Sequence, residues 1–346
     1  MLKLEFIERL SRDSEEQRWL VRVEGHAVPR VAWMFHDEDR ERVELIEQDT
    51  RPWLGPLHAR VSQIFELARR GESLTFVVDD DRGPPFPKAA AQLTDPIERE
   101  RWSVAQIIAI TSALAAMRRR APGFVHRHLE PSKIFVDAAG HARLRAPIAT
   151  VTQGPRPSYM GRGRVTRGLT WLSPEQCRGY PLTAASDVFS LAANLFAALS
   201  GQSPFRRDTE FGTLQAIVTD APPPLVTHAP GLAAVLARAF QKDPAQRHPD
   251  PEAFAGELLR CVPDAADYDE CVSDRIVAWW PTATPARLPP VLPAERCRMA
   301  WDQLHPTGSA DVRHCAACSQ DVVRVTSLAA IVSLGGRRCI SYPGND

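Results

Sequence analysis

The sequence predicts an α+β fold, with a strand-rich part first and a mainly helical part after it. Three observations support this order. Residues 1–83 contain short strand-like runs separated by turn residues. Residues 103–120 carry apolar side chains at helical spacing and end in arginines, which the C-terminal end of a helix favours. Residues 188–199 form a dense apolar run that is too short to span a membrane and fits a buried helix.

The composition is typical of a soluble globular protein. The chain has 346 residues, of which 44% are hydrophobic and 24% charged, so a sizeable core can form. The formal net charge is zero, which excludes a whole-molecule attraction to DNA, RNA or an acidic membrane. The first residues are acidic and do not predict a signal peptide, and no uncharged apolar run reaches the roughly 18 residues of a membrane span. We therefore expect a cytoplasmic protein without a membrane partner.

Residues 1–83 are predicted to form five strands and one helix. Glu24, Gly25 and His26 suit a hairpin turn between the second and third strands. Asp37 lies near the N-cap of a short amphipathic helix over residues 37–48. The strands cover residues 2–10, 18–24, 28–35, 61–67 and 74–80.

The helical part is predicted to follow a hinge at residues 79–83. Residues 83–96 are rich in proline and suit a loop with a short helix. Ser103 is the expected N-cap of the helix over residues 103–120. The next strands are predicted over residues 134–137 and 142–145, joined by a turn at Ala139 and Gly140.

Residues 124–134, FVHRHLEPSKI, resemble the catalytic loop of eukaryotic-type Ser/Thr protein kinases. The family pattern is H-R-D-L-K-P-x-N. The framework positions agree with it: His126, Arg127, Leu129 and Pro131. The catalytic positions differ, because His128 replaces the Asp, Glu130 replaces the Lys and Lys133 replaces the Asn.

Later blocks follow in the order of the same family. Residues 171–176, WLSPEQ, resemble the Y-M-S-P-E-Q run of bacterial Ser/Thr kinases, and residues 243–247 resemble the D-P-x-x-R motif. Residues 186–191 and 200–205 resemble the two ends of the central helix of the large lobe. The resemblance implies a bilobal protein-kinase-like fold, with a small β-rich N-lobe and a helical C-lobe.

The resemblance also implies structural roles for several residues. Glu175 is expected to pair with Arg247 in a buried ion pair. Asp187 is expected to hold the backbone of the turn at His126 and Arg127. Removing one partner of a buried pair costs about 3–5 kcal/mol, so these residues support the fold rather than the reaction.

The nucleotide-binding features of the family differ here. The turn at residues 11–16 has no glycine, although kinases cover the ATP phosphates with a Gly-rich loop. Met34 holds the position of the β3 lysine. Ala146 holds the position of the D-F-G aspartate, or Arg145 does if the match is shifted by one residue. Without the lysine, the nearby helix glutamates are expected to be solvated: Glu41, Glu44 and Glu47.

These differences predict an inactive protein. The leading hypothesis is a pseudokinase that acts as a protein-interaction scaffold or regulator, binds other proteins and uses no ATP or Mg²⁺. His128 is interpreted as a histidine that fills an abandoned site rather than as a substitute base. The alternative is an atypical ATP-dependent phosphotransferase that uses the same cleft.

The C-terminal residues predict a small cysteine-rich module. Its cysteines are Cys297, Cys315, Cys318 and Cys339. An intracellular set of four with a C-x-x-C knuckle predicts structural zinc, with His305 and His314 as alternative ligands. Other hypotheses are buried cysteines without metal, a redox C-x-x-C pair, and a nucleic-acid-binding tail, although nucleic acid is not the expected partner.

The predicted domain boundaries follow from these patterns. The N-lobe covers residues 1–83 and the C-lobe residues 84–262. A proline-rich linker covers residues 263–293. The cysteine-rich module covers residues 294–346.

Overall fold

A computed structural model of the chain describes residues 4–10, 16–26, 28–36, 40–70, 73–147, 168–265, 305–306, 312–315, 320–324 and 339–341. The described residues belong to two compact units. One comprises those within 1–55, 63–80 and 282–346, and the other those within 56–62 and 81–281. Within these described ranges, no helix has the length and apolar character needed to cross a bilayer. The predicted domain boundaries stay predictions.

A five-stranded antiparallel sheet dominates the first unit. Its order is β1-β2-β3-β5-β4. Gly25 adopts φ 81° in the turn between β2 and β3, a conformation that glycine reaches without strain. The helix α1, Arg40–Thr50, buries Val43 and Ile46. The strands are β1 Leu4–Arg9, β2 Glu16–Val23, β3 Arg30–His36, β4 Ile64–Arg70 and β5 Ser73–Val78.

The strand β4 begins three residues later than the sequence predicts. Val61 bridges to Leu144, and the backbone N–H of Ser62 donates to the carbonyl of Leu144 at 2.8 Å. These residues therefore pair within the second unit, and β4 starts only at Ile64.

The second unit contains one short hairpin and the longer helices. Its hairpin pairs β6, Ile134–Val136, with β7, Ala142–Leu144. The helix α5 is buried along nearly all of its length, as expected for the apolar run at residues 188–199. The helices are α2 Phe86–Ala90, α3 Pro96–Arg120, α4 Pro174–Arg178, α5 Ala184–Ser200, α6 Glu210–Thr219, α7 Leu232–Ala239 and α8 Pro251–Cys261.

The predicted start of α3 is wrong. Ser103 is fully buried inside the helix, and the observed N-cap is Asp95, whose carboxylate accepts from the N–H of Ile97 at 2.9 Å. Pro96 occupies the first helical position, where its missing N–H removes no helical hydrogen bond. The Asp-Pro pair therefore marks the true beginning of the helix.

Aromatic rings fill the core around α5. The ring of Phe189 stacks on Phe205 with centroids 5.5 Å apart, and both rings meet the edge of Phe240 at 5.4 Å. Offset and edge-to-face pairs of this kind add to the free energy gained from burying the rings. This cluster anchors α5, from which several side chains of the candidate site project.

A separate four-stranded sheet forms from the described C-terminal residues. Its order is β11-β10-β9-β8, and only β10 and β11 run parallel. The strands are β8 His305–Pro306, β9 Val312–Cys315, β10 Gln320–Arg324 and β11 Cys339–Ser341.

Candidate functional site

The loop at residues 126–133 is fixed by side chains that lie outside it. The Asp187 carboxylate, on α5, accepts from the backbone N–H of His126 at 2.8 Å and from that of Arg127 at 2.9 Å. Asp187 is buried. Burial raises the pKa of Asp187 to about 6, although the two N–H donors act to lower it.

Two amide side chains complete this support. Gln176 donates from Nε2 to the carbonyl of Arg127 at 2.6 Å. Asn194, fully buried on α5, donates from Nδ2 to the carbonyl of Leu129 at 2.7 Å. Four backbone groups of the loop are thus held, which fixes its path on both sides of His128.

Arg127 lies in the left-handed region with φ 69°, and no other non-glycine residue in the described part of the chain has a positive φ. This conformation costs a residue with a Cβ atom about 1–2 kcal/mol. The contacts to Asp187 and Gln176 on either side of Arg127 hold it there. Backbone strain of this kind is common at functional loops.

The supported loop carries three different ionisable side chains close together in sequence. These are the imidazole of His128, the carboxylate of Glu130 and the ammonium of Lys133. Oε1 of Glu130 accepts a hydrogen bond from the Ser132 hydroxyl. Oε2 of Glu130 lies only 2.7 Å from where a Cβ atom on Gly168 would stand, so the absence of a side chain at Gly168 leaves room for this carboxylate.

His126 is held as a neutral histidine. Burial, together with the nearby His128 and Lys133, lowers the pKa of His126 to about 3. Neither ring nitrogen of His126 has a hydrogen-bond partner among the residues that the structure describes. Its ring meets that of Phe124 edge-on at 6.3 Å. His126 therefore contributes packing rather than charge.

Arg145 ties the hinge segment to the loop. Its guanidinium pairs with Asp81, whose side chain is almost fully buried, and its Nε donates to the carbonyl of Ser132 at 2.5 Å. The guanidinium carbon also lies 5.2 Å from the centre of the Phe135 ring. Beside it, Ala146 is buried. The position expected to hold a metal-binding aspartate is thus apolar and next to an anchored cation.

Glu175 and Arg247 form a two-pronged buried ion pair. Nη1 and Nη2 of Arg247 each reach one carboxylate oxygen of Glu175 at 2.8 Å. Burial acts to raise the pKa of Glu175, but the hydrogen bonds and charge of Arg247 outweigh it and lower that pKa. The geometry is the one that the resemblance implies for these two residues.

The remaining predicted positions, those of the missing lysine and of the helix glutamates, lie in the first unit. Met34 lies on β3, opposite Gln17 of β2 and Thr75 of β5, and is partly buried. Arg69 of β4 binds two of the helix glutamates, Glu44 at 3.0 Å and Glu47 at 3.2 Å. The prediction that these glutamates are solvated is wrong for Glu47, whose side chain is only 12% exposed, whereas that of Glu44 is 41% exposed. The side chain of Glu41 and the turn at residues 11–15 lie outside the described residues.

The predicted zinc site is not found. Among the residues that the structure describes, no group of three or more His, Cys, Asp or Glu side chains could hold a metal ion. Cys297 and Cys318 lie outside them. Cys315 pairs with Gln320 of β10, and Cys339 pairs with Val322 on the other side of that strand.

Strand spacing gives the physical reason. Two strands on either side of a third are about 9–10 Å apart. Sulfur atoms that share one zinc lie about 2.3 Å from it and hence about 4 Å from each other. The partners of Cys315 and Cys339 on β10, Gln320 and Val322, are two residues apart, so the two cysteines are offset along the strands as well as across them. Their backbones are therefore about 12 Å apart, which is too far for two cysteine side chains to share one ion.

Several residues of the site were missed by the sequence analysis. Gln176 stood within the recognised WLSPEQ run, and Asn194 was a polar residue inside an apolar helical run, which is a usable signal for a buried hydrogen bond. Nothing local in the sequence linked Asp81 to Arg145 or Glu44 to Arg69, because these contacts join distant segments.

Comparisons with known proteins agree with this fold and site. A profile of the family described as protein tyrosine and serine/threonine kinase matches residues 58–252, more than half of the chain. "Serine/threonine-protein kinases drp72" of Corynebacterium efficiens is 31% identical over 270 residues, which cover 71% of this chain and 49% of that protein. PkaB of Streptomyces coelicolor, named a serine/threonine-protein kinase, is 29% identical over 253 residues, 69% of this chain and 58% of PkaB. The chain thus spans about half the length of these relatives.

A solved structure shows the same fold. The crystal structure of the Mycobacterium tuberculosis PknI kinase domain, a cysteine-to-alanine mutant, aligns with a TM-score of 0.55 and 18% identity. The alignment covers 75% of this chain and 96% of that one. The predicted kinase-like bilobal fold, with a β-sheet N-lobe and a helical C-lobe, is confirmed.

The relatives overturn two predictions. The expectation of an inactive scaffold that is not an enzyme is wrong, because the matching family and both curated relatives are named kinases. The expectation that ATP and Mg²⁺ play no part fails for the same reason, since kinases transfer a phosphoryl group from ATP with Mg²⁺. With more than half of its length matched by the family profile, the chain belongs to the bacterial eukaryotic-type Ser/Thr protein kinase family.

Proposed function

We propose that the chain is an ATP-dependent protein phosphotransferase whose catalytic loop works with His128, Glu130 and Lys133. The observation that carries the proposal is the support of this loop by Asp187, Gln176 and Asn194. Side chains on a backbone held at several points are positioned in advance, and phosphoryl transfer depends mainly on positioning and electrostatics.

The metal arrangement of the family does not fit these residues. In protein kinases the D-F-G aspartate and the loop asparagine hold Mg²⁺. Here those positions are Ala146 and Lys133, and neither a methyl group nor an ammonium can ligate a divalent cation. Glu130 is the one carboxylate within residues 124–136, and carboxylate oxygens are the ligand type that Mg²⁺ prefers.

The three side chains have complementary chemistry. The Lys133 ammonium can offset the negative charge of the transferring phosphoryl group. The imidazole of His128 stands at the position of the family's base, and histidine is the side chain that most often accepts a proton in general base catalysis. Glu130 already accepts a hydrogen bond from the Ser132 hydroxyl, which is the interaction that would orient an acceptor hydroxyl.

The acceptor is proposed to be a serine or threonine of another protein. This class follows from the names of the relatives, which are serine/threonine-protein kinases. A protein partner is consistent with the zero net charge of the chain, which gives no general attraction to nucleic acid.

Transfer of radiolabelled phosphate tests the proposal. The full chain is incubated with labelled ATP, Mg²⁺ and casein, and incorporation into casein and into the chain itself is measured. His128→Ala, Glu130→Gln and Lys133→Met should each reduce transfer about 100-fold, the usual contribution of a positioned catalytic group. Glu210→Gln, on the exposed surface of α6, is the matched control and should leave transfer unchanged. Transfer no greater than that of heat-denatured protein, or equal in all four variants, would overturn the proposal.

A further inference from the structure

A segment of the second unit that phosphoryl transfer does not use, residues 221–227, contains three consecutive prolines. It follows α6 and reads Ala-Pro-Pro-Pro-Leu-Val-Thr. Each proline ring holds its own φ near −65°, and a proline also restricts the residue before it to the β or polyproline II region. Pro222 and Pro223 are restricted in both ways. Covalent geometry therefore sets their backbones to polyproline II without help from tertiary contacts.

The exposure of the side chains follows the three-residue period of a polyproline II helix. Residues three apart lie on the same edge of such a helix. Pro222 and Leu225 share one edge, and both are partly buried. Pro223 and Val226 share another edge, and both are exposed, Val226 by 85%. Pro224, which stands on the third edge, is exposed as well. At the prolines, two edges of the helix face solvent and one faces the protein.

The backbone of the same segment is free to bind another molecule. Prolines have no N–H group to donate, and no backbone group of residues 221–227 has a hydrogen-bond partner within the part of the chain that the structure describes. A polyproline II helix makes no internal hydrogen bonds, so its carbonyls point outward and stay solvated. These carbonyls can therefore accept hydrogen bonds from donors of a second protein.

Both ends of the segment are fixed. Asp220, directly before it, caps α6, and its backbone N–H donates to the carbonyl of Ala216 at 2.9 Å. After the segment, the buried carboxylate of Glu100 on α3 accepts from the backbone N–H of His228 at 2.8 Å and from that of Ala229 at 2.5 Å. A segment that is fixed at both ends and stiff between them loses little further conformational freedom when it binds.

We propose that residues 222–226 are a docking ligand for another protein that has an aromatic-lined proline groove. Such grooves bind segments that already have polyproline II geometry and pack aromatic side chains against the proline rings. Pro223 and Pro224 present their rings to solvent, and Val226 extends the exposed apolar edge by about 9 Å beyond Pro223, at about 3.1 Å per residue. The proposal does not depend on the phosphotransferase activity, because residues 126–133 take no part in it.

Titration with a WW domain tests the proposal, because this module binds polyproline II ligands in a groove lined by aromatic rings. The WW domain is titrated with the folded full chain and, separately, with a synthetic peptide of residues 219–229, and binding is measured by calorimetry. Both should bind. The dissociation constant of the chain should lie within about threefold of that of the peptide or below it, because the chain already holds the segment in the bound conformation.

Two variants show whether the prolines carry the binding. Pro223→Ala with Pro224→Ala should weaken binding at least about tenfold, since alanine has neither the ring nor the fixed φ. The same double substitution in the peptide should weaken binding equally, and this result does not depend on folding. Pro181→Ala is the matched control and should bind as the unchanged chain does, because Pro181 is an exposed proline without a proline neighbour. The urea midpoints of both chain variants establish that they are folded.

Three results would overturn the proposal. The first is that the chain does not bind at about 0.5 mM, whether or not the peptide binds. The second is a chain that binds more than about tenfold more weakly than the peptide, because the segment would then not be displayed for docking. The third is equal binding of the unchanged chain and the double variant, because the contact would then lie elsewhere on the surface.

Discussion

Replacement of Arg247 by methionine gives the sharpest test of what holds the second unit together. Arg247 is fully buried, and its guanidinium donates to both oxygens of Glu175 at 2.8 Å. It also donates to three backbone carbonyls at 2.6, 2.9 and 3.1 Å, those of Gln241, Ala185 and Lys242. Every N–H of the guanidinium therefore has a partner, and Arg247→Met leaves a buried carboxylate and these carbonyls without their donors.

The expected loss is a large part of the stability of the unit. Removing one partner of a buried ion pair costs about 3–5 kcal/mol, against a typical total of about 5–15 kcal/mol. With a urea m-value of about 2 kcal/mol per molar, this corresponds to a midpoint lower by about 1.5–2.5 M. Urea unfolding followed by tryptophan fluorescence measures the shift.

Two further variants show whether burial is the cause. Arg238 pairs with Glu257 at 2.5 Å, but its side chain is 46% exposed, so Arg238→Met should cost at most about 1 kcal/mol. The double variant Glu175→Met with Arg247→Met should be more stable than Arg247→Met alone, because it leaves no unpaired buried charge. If Arg247→Met unfolds within about 0.5 M urea of Arg238→Met, the assigned role of the buried pair is wrong.

Three other changes probe the loop and its support. The pKa of Asp187 is about 6 in the folded chain, against 3.8 for the aspartate in the unfolded chain. Between pH 4 and pH 6 the folded chain therefore binds a proton at Asp187 that the unfolded chain has lost, so the free energy of unfolding should fall by about 3 kcal/mol as the pH rises through this range. Asp187→Asn should flatten this dependence of the urea midpoint, and an unchanged slope would contradict the assignment. Arg127→Gly should alter the free energy of unfolding by no more than about 1 kcal/mol. Arg127→Val should be at least about 1 kcal/mol less stable than the glycine variant, because a φ of 69° disfavours a branched residue. Equal urea midpoints for the two variants would show that the backbone strain is absent. Gly168→Ala would bring a methyl group to 2.7 Å from Oε2 of Glu130 and displace this carboxylate. Phosphotransfer should therefore drop as it does in Glu130→Gln, while the urea midpoint stays near that of the unchanged chain. Full activity of Gly168→Ala would show that Glu130 takes no part in the reaction.

Much of the fold could be predicted from local patterns. The five strands of the first sheet lie close to the predicted ranges, because hairpin turns and apolar runs are local signals. Strand ends were less predictable, since Val61 and Ser62 pair with β7, which is far away in sequence. The start of α3 was misplaced because Ser103 resembles a cap, whereas the Asp95-Pro96 pair that actually begins the helix precedes a stretch rich in charged residues.

The candidate site shows the same division. The contacts of Asp187 and Glu175 occur where the resemblance implies them, because both partners of each contact belong to motifs of the family. The contacts of Arg69 with Glu44 and Glu47 span 25 and 22 residues and belong to no motif. The sequence showed which catalytic positions had changed and, through the resemblance, implied the support from Asp187, but it did not show that Gln176 and Asn194 also hold the loop backbone.

The support of residues 126–129 from outside also bears on how such a site can evolve or be redesigned. The side chains of His128, Glu130 and Lys133 take no part in the contacts of Asp187, Gln176 and Asn194 with the loop backbone. The side chains at these three positions can therefore change without removing the four hydrogen bonds that hold the loop backbone. A triple variant, His128→Asp with Glu130→Lys and Lys133→Asn, would write the common kinase sequence into this chain without touching the bonds that hold the loop. Mutational freedom at the reacting positions is thus a property of the surrounding scaffold.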